Sequence, residues 1–194
     1  GADEIAVFAS ASEGFSRKNI NCSVAESLER FRPILKAAKA AMIPVRGYVS
    51  CITDCPFDGP TPPDAVAKLA EALLNLGCYQ ISLGDTLGSA TPQTTNRMLD
   101  AVLSCVPATR LAGHFHDTHA MALQNIVLCL DRGLRTFDSS VAGLGGCPYA
   151  PGAQGNVATE AVVGLVHDRG FQTGIDSIRL AEVSKFAQGL RIPQ

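Results

Sequence analysis

The chain has 194 residues, enough for one well-cored domain, and its 46% hydrophobic and 18% charged residues mark it as globular rather than disordered. A net charge of −2, scattered basic residues and the absence of Trp exclude the charge footprint and stacking platform of a nucleic-acid binder. No apolar run is long enough to span a bilayer, and Gly1-Ala2-Asp3-Glu4-Ile5 lacks the basic start and apolar centre of a signal peptide, so neither nucleic acid nor membrane is expected as a partner.

In chain order, Ile5 to Ala9 reads as a strand. A helix is predicted from near Ser23 to Met42. Ser23 and Glu26 have the spacing of a capping box, and Leu28, Phe31, Ile34, Leu35 and Ala38 recur at helical period, with Pro33 a possible kink. Val45–Ser50 is the second strand. The next helix runs from Pro63 through Leu76 and stops at Gly77. Tyr79–Leu83 is the third strand, followed by a helix from Thr91-Pro92 to about Val106. Leu111–His116 is the fourth strand, with a helix over Met121–Arg132 and Gly133 as its stop. Thr136–Val141 is the fifth, and helical runs at Thr159–Asp168 and Ser177–Leu190 close the chain.

Alternating strands and helices predict an α/β fold with a parallel sheet, and no glycine-rich phosphate loop follows the first strand. The repetition favours a (β/α)8 barrel, here a single partial barrel of about five strands over 1–194. Five units do not close eight, so an amino-terminal portion is expected to be missing. The alternative is a complete five-stranded doubly wound sheet, and unpaired edge strands would favour the first reading. The seven cysteines are irregularly spaced, several within apolar runs, and read as buried thiols in a reducing compartment, the cytoplasm or the mitochondrial matrix. Cys51 and Cys55 lack the second pair that a zinc site needs.

Polar residues gather at strand ends: Ser50, Asp85, His116 and Ser139. In parallel α/β folds that edge carries the chemistry. His114 and His116 are two apart on a strand, so both imidazoles face one side and can share a metal ion. Asp117 faces the other side and is expected to orient a neighbour. The run Gly143-Leu144-Gly145-Gly146-Cys147-Pro148-Tyr149-Ala150-Pro151-Gly152-Ala153-Gln154-Gly155-Asn156 is a small-residue loop of the kind that closes over a site. Its thiol, Cys147, is a candidate proton donor or nucleophile. Asn156 reads equally as a metal ligand or as an ordinary helix cap. Asp85 is a candidate base or a cap of the following element, and Glu160 is an acid in a first helical turn. His119 and His167 read as surface or structural residues on helices.

At these residues the sequence resembles the 3-hydroxy-3-methylglutaryl-CoA lyases. The resemblance rests on the 143–156 loop, on Lys18-Asn19-Ile20-Asn21-Cys22-Ser23, Arg46-Gly47-Tyr48-Val49-Ser50-Cys51, Ile81-Ser82-Leu83-Gly84-Asp85-Thr86 and His114-x-His116-Asp117-Thr118, and it covers nearly the whole chain. It implies a TIM barrel that cleaves 3-hydroxy-3-methylglutaryl-CoA to acetyl-CoA and acetoacetate with Mg or Mn, and a homodimer when full length. By resemblance His114, His116 and Asn156 are metal ligands. Cys147, His114, Asp85 and Glu160 are catalytic, and Ser82 and Thr86 touch substrate. An Arg-Asp pair and a Glu that the family carries on its first two strands have no counterpart here. The 194 residues alone are therefore expected to be nearly inactive and to associate through open sheet edges. Related condensing synthases or aldolases, or a non-catalytic truncated barrel, are the alternatives.

Overall fold

The computed structural model describes residues 1–145 and 155–190. In chain order the elements are β1 (Ile5–Ser10), α1 (Glu13–Ile20), α2 (Val24–Ala40), β2 (Val45–Ser50), β3 (Asp54–Cys55), β4 (Gly59–Pro60), α3 (Pro63–Leu76), β5 (Gln80–Asp85), α4 (Pro92–Leu103), β6 (Leu111–Phe115), α5 (Ala122–Asp131), β7 (Thr136–Asp138), α6 (Thr159–Asp168) and α7 (Ser177–Gly189).

Local signals set most of these boundaries. Ser23 accepts from the Glu26 amide while the Glu26 carboxylate accepts from the Ser23 amide, the reciprocal cap its spacing predicts, and α2 then runs through Pro33. In α3 Pro63 opens the helix and Gly77, at φ 115°, closes it. Three elements, α1, β3 and β4, lie outside the predicted set. Helix α1 is short and polar, and is held by Ser12, whose hydroxyl accepts from the Phe15 amide, and by Asp58, which accepts from the Gly14 amide at 2.7 Å. The β3–β4 hairpin carries that Asp58 between its strands. The last strand is also shorter than predicted, because the chain leaves the sheet at Ser139 and turns at Val141–Gly143.

The five long strands form one parallel sheet in the order β1-β2-β5-β6-β7. Each strand therefore pairs with its predecessor in the sheet, with no reversal of order. Side chains alternate across it. Val7, Ala9, Val45, Val49, Ile81, Leu83, Leu111 and Phe115 point to one side and join Phe31, Leu35, Leu73, Leu99, Val102, Ile126 and Val162 of the helices in a single buried core. A doubly wound sheet would bury both faces under helices. Here the opposite face carries Arg46, Tyr48, Gln80, Ser82, His114, Thr136 and Asp138, which is the inner face of a barrel wall. Among the described residues β1 pairs only with β2, and Phe8 on that open edge is 53% exposed. Cys22, Cys51, Cys55, Cys78 and Cys129 are buried free thiols, and Cys105 is exposed.

Candidate active site

Strand β6 places His114 and His116 on the same side, with ring centroids 5.4 Å apart and planes at 71°. Each imidazole is held through Nδ1. His116 Nδ1 lies 2.8 Å from the main-chain carbonyl of Asp85. A carbonyl can only accept, so Nδ1 carries the proton and Nε2 keeps its lone pair. Burial also lowers the pKa of His116, which favours the neutral ring a metal requires. His114 Nδ1 lies 3.2 Å from Asp138 Oδ2, and an ionised carboxylate likewise only accepts. Both rings thus have the second nitrogen fixed by the protein, the usual condition of metal-binding histidine.

Asn156 joins this pair through the backbone. It forms an antiparallel bridge with His116. The Asp117 amide donates to the Gly155 carbonyl at 3.0 Å, and the Val157 amide donates to the Phe115 carbonyl at 3.1 Å. The Asn156 side-chain amine donates to the Leu144 carbonyl at 3.0 Å, leaving Oδ1 as the acceptor end. Two imidazole nitrogens and an amide oxygen are a donor set that suits a divalent ion. Among the described residues no three His, Cys, Asp or Glu side chains cluster as a ready metal site.

Behind His114 lies a polar network across four strands. Asp138 Oδ1 accepts from Arg46 Nη1 at 2.7 Å, and Oδ2 accepts from Ser82 Oγ at 2.7 Å as well as facing His114. Arg46 also donates to the Tyr48 hydroxyl at 2.8 Å and to Gln80 Oε1 at 3.0 Å, and Gln80 reaches Thr136. Burial alone would push the Asp138 carboxyl up, but hydrogen bonds from His114, Ser82 and Arg46, and the Arg46 charge, hold it at about 2. Burial works against the Arg46 charge too, and Asp138 more than offsets it. Tyr48 is pushed up by burial and by the Asp138 charge, and its ring stacks on Phe8 at 4.6 Å.

Known proteins resemble this chain in sequence and in fold. The HMGL-like family model matches residues 1–187. The chain belongs to the HMGL-like family. Hydroxymethylglutaryl-CoA lyase of Pseudomonas mevalonii is 57% identical over 183 residues, covering 94% of this chain and 61% of that protein. A Pseudomonas aeruginosa protein, 3-hydroxy-3-isohexenylglutaryl-CoA/hydroxy-methylglutaryl-CoA lyase, is 54% identical over 185 residues, 95% of this chain and 62% of that one. The crystal structure of the HMG-CoA lyase from Brucella melitensis matches with a TM-score of 0.96 and 58% identity, over 98% of this chain and 67% of that one. The five-stranded sheet with helices on one face is thus a partial (β/α)8 barrel of that lyase type. The chain spans 61% and 62% of the length of the two curated Pseudomonas relatives.

In this HMGL-like chain the remaining expected site residues make protein contacts of their own. Asp85 is 2% exposed, its side chain falls on the core side of β5, and its Oδ2 accepts from the Ala90 amide at 3.1 Å. Burial pushes that carboxyl up to about 6, against the pull of the backbone amides of the 86–90 turn. The Thr86 hydroxyl accepts from the Cys51 amide at 2.8 Å, tying two strand ends together. Ser82 is fully buried against Asp138. Glu160 caps the turn at Val141–Gly143, accepting from the Ala142 amide at 3.0 and 3.1 Å. Burial raises its pKa, but bonds to Ser184 and the backbone lower it further. Asp117 orients α5 through the Ala122 amide at 3.1 Å. His119 is exposed in the turn before α5 rather than on a helix, and His167 reaches Thr173 at 2.9 Å. Cys147 lies outside the described residues.

Arg46, Tyr48, Gln80, Thr136 and Asp138 escape the sequence reading as site residues. The signal exists: Arg46/Tyr48, Gln80/Ser82 and Thr136/Asp138 each sit at i and i+2 of a strand, as His114 and His116 do.

Proposed function

We propose that the protein cleaves 3-hydroxy-3-methylglutaryl-CoA to acetyl-CoA and acetoacetate, with a divalent cation, Mg or Mn, held by His114, His116 and Asn156. One observation carries this reading: two adjacent imidazoles, each fixed through Nδ1 so that Nε2 is the free donor, tied by backbone to the Asn156 amide. The close similarity to lyases of that name supports the substrate.

A cation bound there would supply Lewis-acid stabilisation of charge developing on the substrate oxygens. The tertiary hydroxyl must lose its proton to a base, and neither expected one is placed for it: His114 would have its Nδ1 proton on Asp138 and its Nε2 on the cation, and the Asp85 carboxylate lies buried on the core side of β5, bonded to the Ala90 amide. The carbon–carbon bond then breaks as the ketone forms, and Cys147 returns a proton to the carbon of the acetyl-CoA enolate. Glu160 holds the turn from which the glycine-rich loop departs. Ser82 and Thr86 shape the site through Asp138 and the end of β2. Free, mostly buried thiols fit a reducing compartment, the cytoplasm or the mitochondrial matrix.

The test is product analysis. The gene product that carries this chain is incubated with 3-hydroxy-3-methylglutaryl-CoA and Mn2+, with the 194 residues alone as a second arm in which little turnover is expected. Acetyl-CoA and acetoacetate in equal amounts support the reading. Condensation of acetyl-CoA with a 2-oxoacid in place of cleavage, or metal binding without any turnover by that gene product, overturns it.

A further inference from the structure

We propose that Asp138 is the positioning residue of this site: its carboxylate fixes His114 with the proton on Nδ1, and so presents Nε2 as the lone-pair nitrogen to the cation. The inference rests on the metal-site reading above and names how one of its ligands is held.

The register of the sheet sets Asp138 opposite His114 on neighbouring strands, both on the inner face. The carboxylate is held by three donors. Arg46 takes Oδ1 at 2.7 Å, while Ser82 and His114 share Oδ2 at 2.7 and 3.2 Å. Arg46 is itself anchored to the Tyr48 hydroxyl and Gln80. The guanidinium cannot turn, so the carboxylate cannot turn, and Oδ2 stays aimed at the imidazole. Ser82 is fully buried with its hydroxyl on the same oxygen. It therefore acts through Asp138, which accounts for a serine on the site face with no free hydroxyl.

This chemistry makes a sharp prediction for Asp138→Asn, a change that keeps the shape. Arg46 can only donate, so it claims the one amide oxygen. The amide NH2 is then turned toward Ser82 and His114. A donor opposite Nδ1 requires a lone pair there, and the proton moves to Nε2. The variant should bury the same volume yet hold His114 in the wrong tautomer.

The experiment measures His114 in long-range 1H–15N spectra and Mn2+ affinity by calorimetry, in wild type, Asp138→Asn and Ser82→Ala. Wild type should show Nδ1 protonated. Asp138→Asn should show Nε2 protonated and bind Mn2+ about 10–100-fold more weakly, the usual effect of losing such a partner. Ser82→Ala, whose thermal melt checks folding, should keep the wild-type tautomer with a smaller loss. A protonated Nε2 in wild type overturns the proposal, as does Asp138→Asn with unchanged tautomer and affinity. Failure of wild type to bind Mn2+ overturns both this and the metal reading. If the tautomer switches as expected but the wild-type enzyme cleaves no 3-hydroxy-3-methylglutaryl-CoA, the positioning stands and the substrate reading fails; unchanged tautomer with good cleavage is the reverse.

Discussion

The main-chain carbonyl of Asp85 holds Nδ1 of His116 at 2.8 Å, so the end of one strand aims a side chain of the next. A backbone acceptor cannot be removed by substituting a side chain, which makes His116 the most firmly directed of the three proposed ligands. His116→Ala should lower Mn2+ affinity by more than the roughly 10–100-fold expected for losing a supporting residue. Calorimetric titration checks this, and an affinity within a few-fold of wild type would remove His116 from the ligand set.

The side chain of the same Asp85 makes a different prediction. Its folded pKa, about 6, lies above the ordinary 3.8 because it is buried. A raised value means the folded state holds the proton more tightly than the unfolded one. The contribution is therefore fully present below about pH 4 and is lost as pH rises through 6, on the order of 2–3 kcal/mol. Asp85→Asn should flatten that fall. Urea unfolding between pH 4 and 7 reads the difference, and parallel pH profiles would refute it.

Asp138 has the opposite sign. Its carboxyl is held at about 2, below 3.8, by hydrogen bonds and the Arg46 charge that outweigh burial. Its contribution is present above about pH 4 and is lost as pH falls toward 2, amounting to roughly 2 kcal/mol. Wild type should lose that much more than Asp138→Asn between pH 5 and 2 in urea unfolding, and equal acid sensitivity would contradict the assignment.

Two glycines should respond in opposite directions. Gly155 sits at φ +91°, and a Cβ there would meet the Gly145 carbonyl oxygen at 2.1 Å. Both atoms belong to backbone, so Gly155→Ala should cost about 1–3 kcal/mol and speed amide exchange around Asn156. Gly164 lies in α6 with nothing within 4 Å of an added Cβ. Gly164→Ala should stabilise by about 0.5–1 kcal/mol. Thermal melts of the two variants settle both, and a neutral Gly155→Ala would show that the loop base yields.

Much of the fold is legible in the sequence because local chemistry and tertiary demand agree. The Ser23–Glu26 box, the Pro63 and Gly77 boundaries and the five runs of the parallel sheet read correctly, with the end of the fifth overrun. The same-side placement of His114 and His116 follows from strand alternation alone. What the sequence hides is tertiary. Helix α1 has no apolar period and depends on Asp58, reached across the β3–β4 hairpin. The Arg46–Asp138 pair is 92 residues apart in sequence, and neither residue announces its partner. Ser82 shows the limit of reading by resemblance: the family places this serine beside substrate, and only coordinates reveal that its hydrogen is already committed to Asp138.

The amide of Asn156 donates to the carbonyl of Gly145 at 3.1 Å, so the chain returns to where it left. That bond pins together the two ends of whatever chain runs between them. Lengthening such an excursion adds little closure entropy, about 0.6 kcal/mol per doubling. A change of length between Gly145 and Asn156 should therefore leave this backbone bond, and with it the place of Asn156 beside His116, intact.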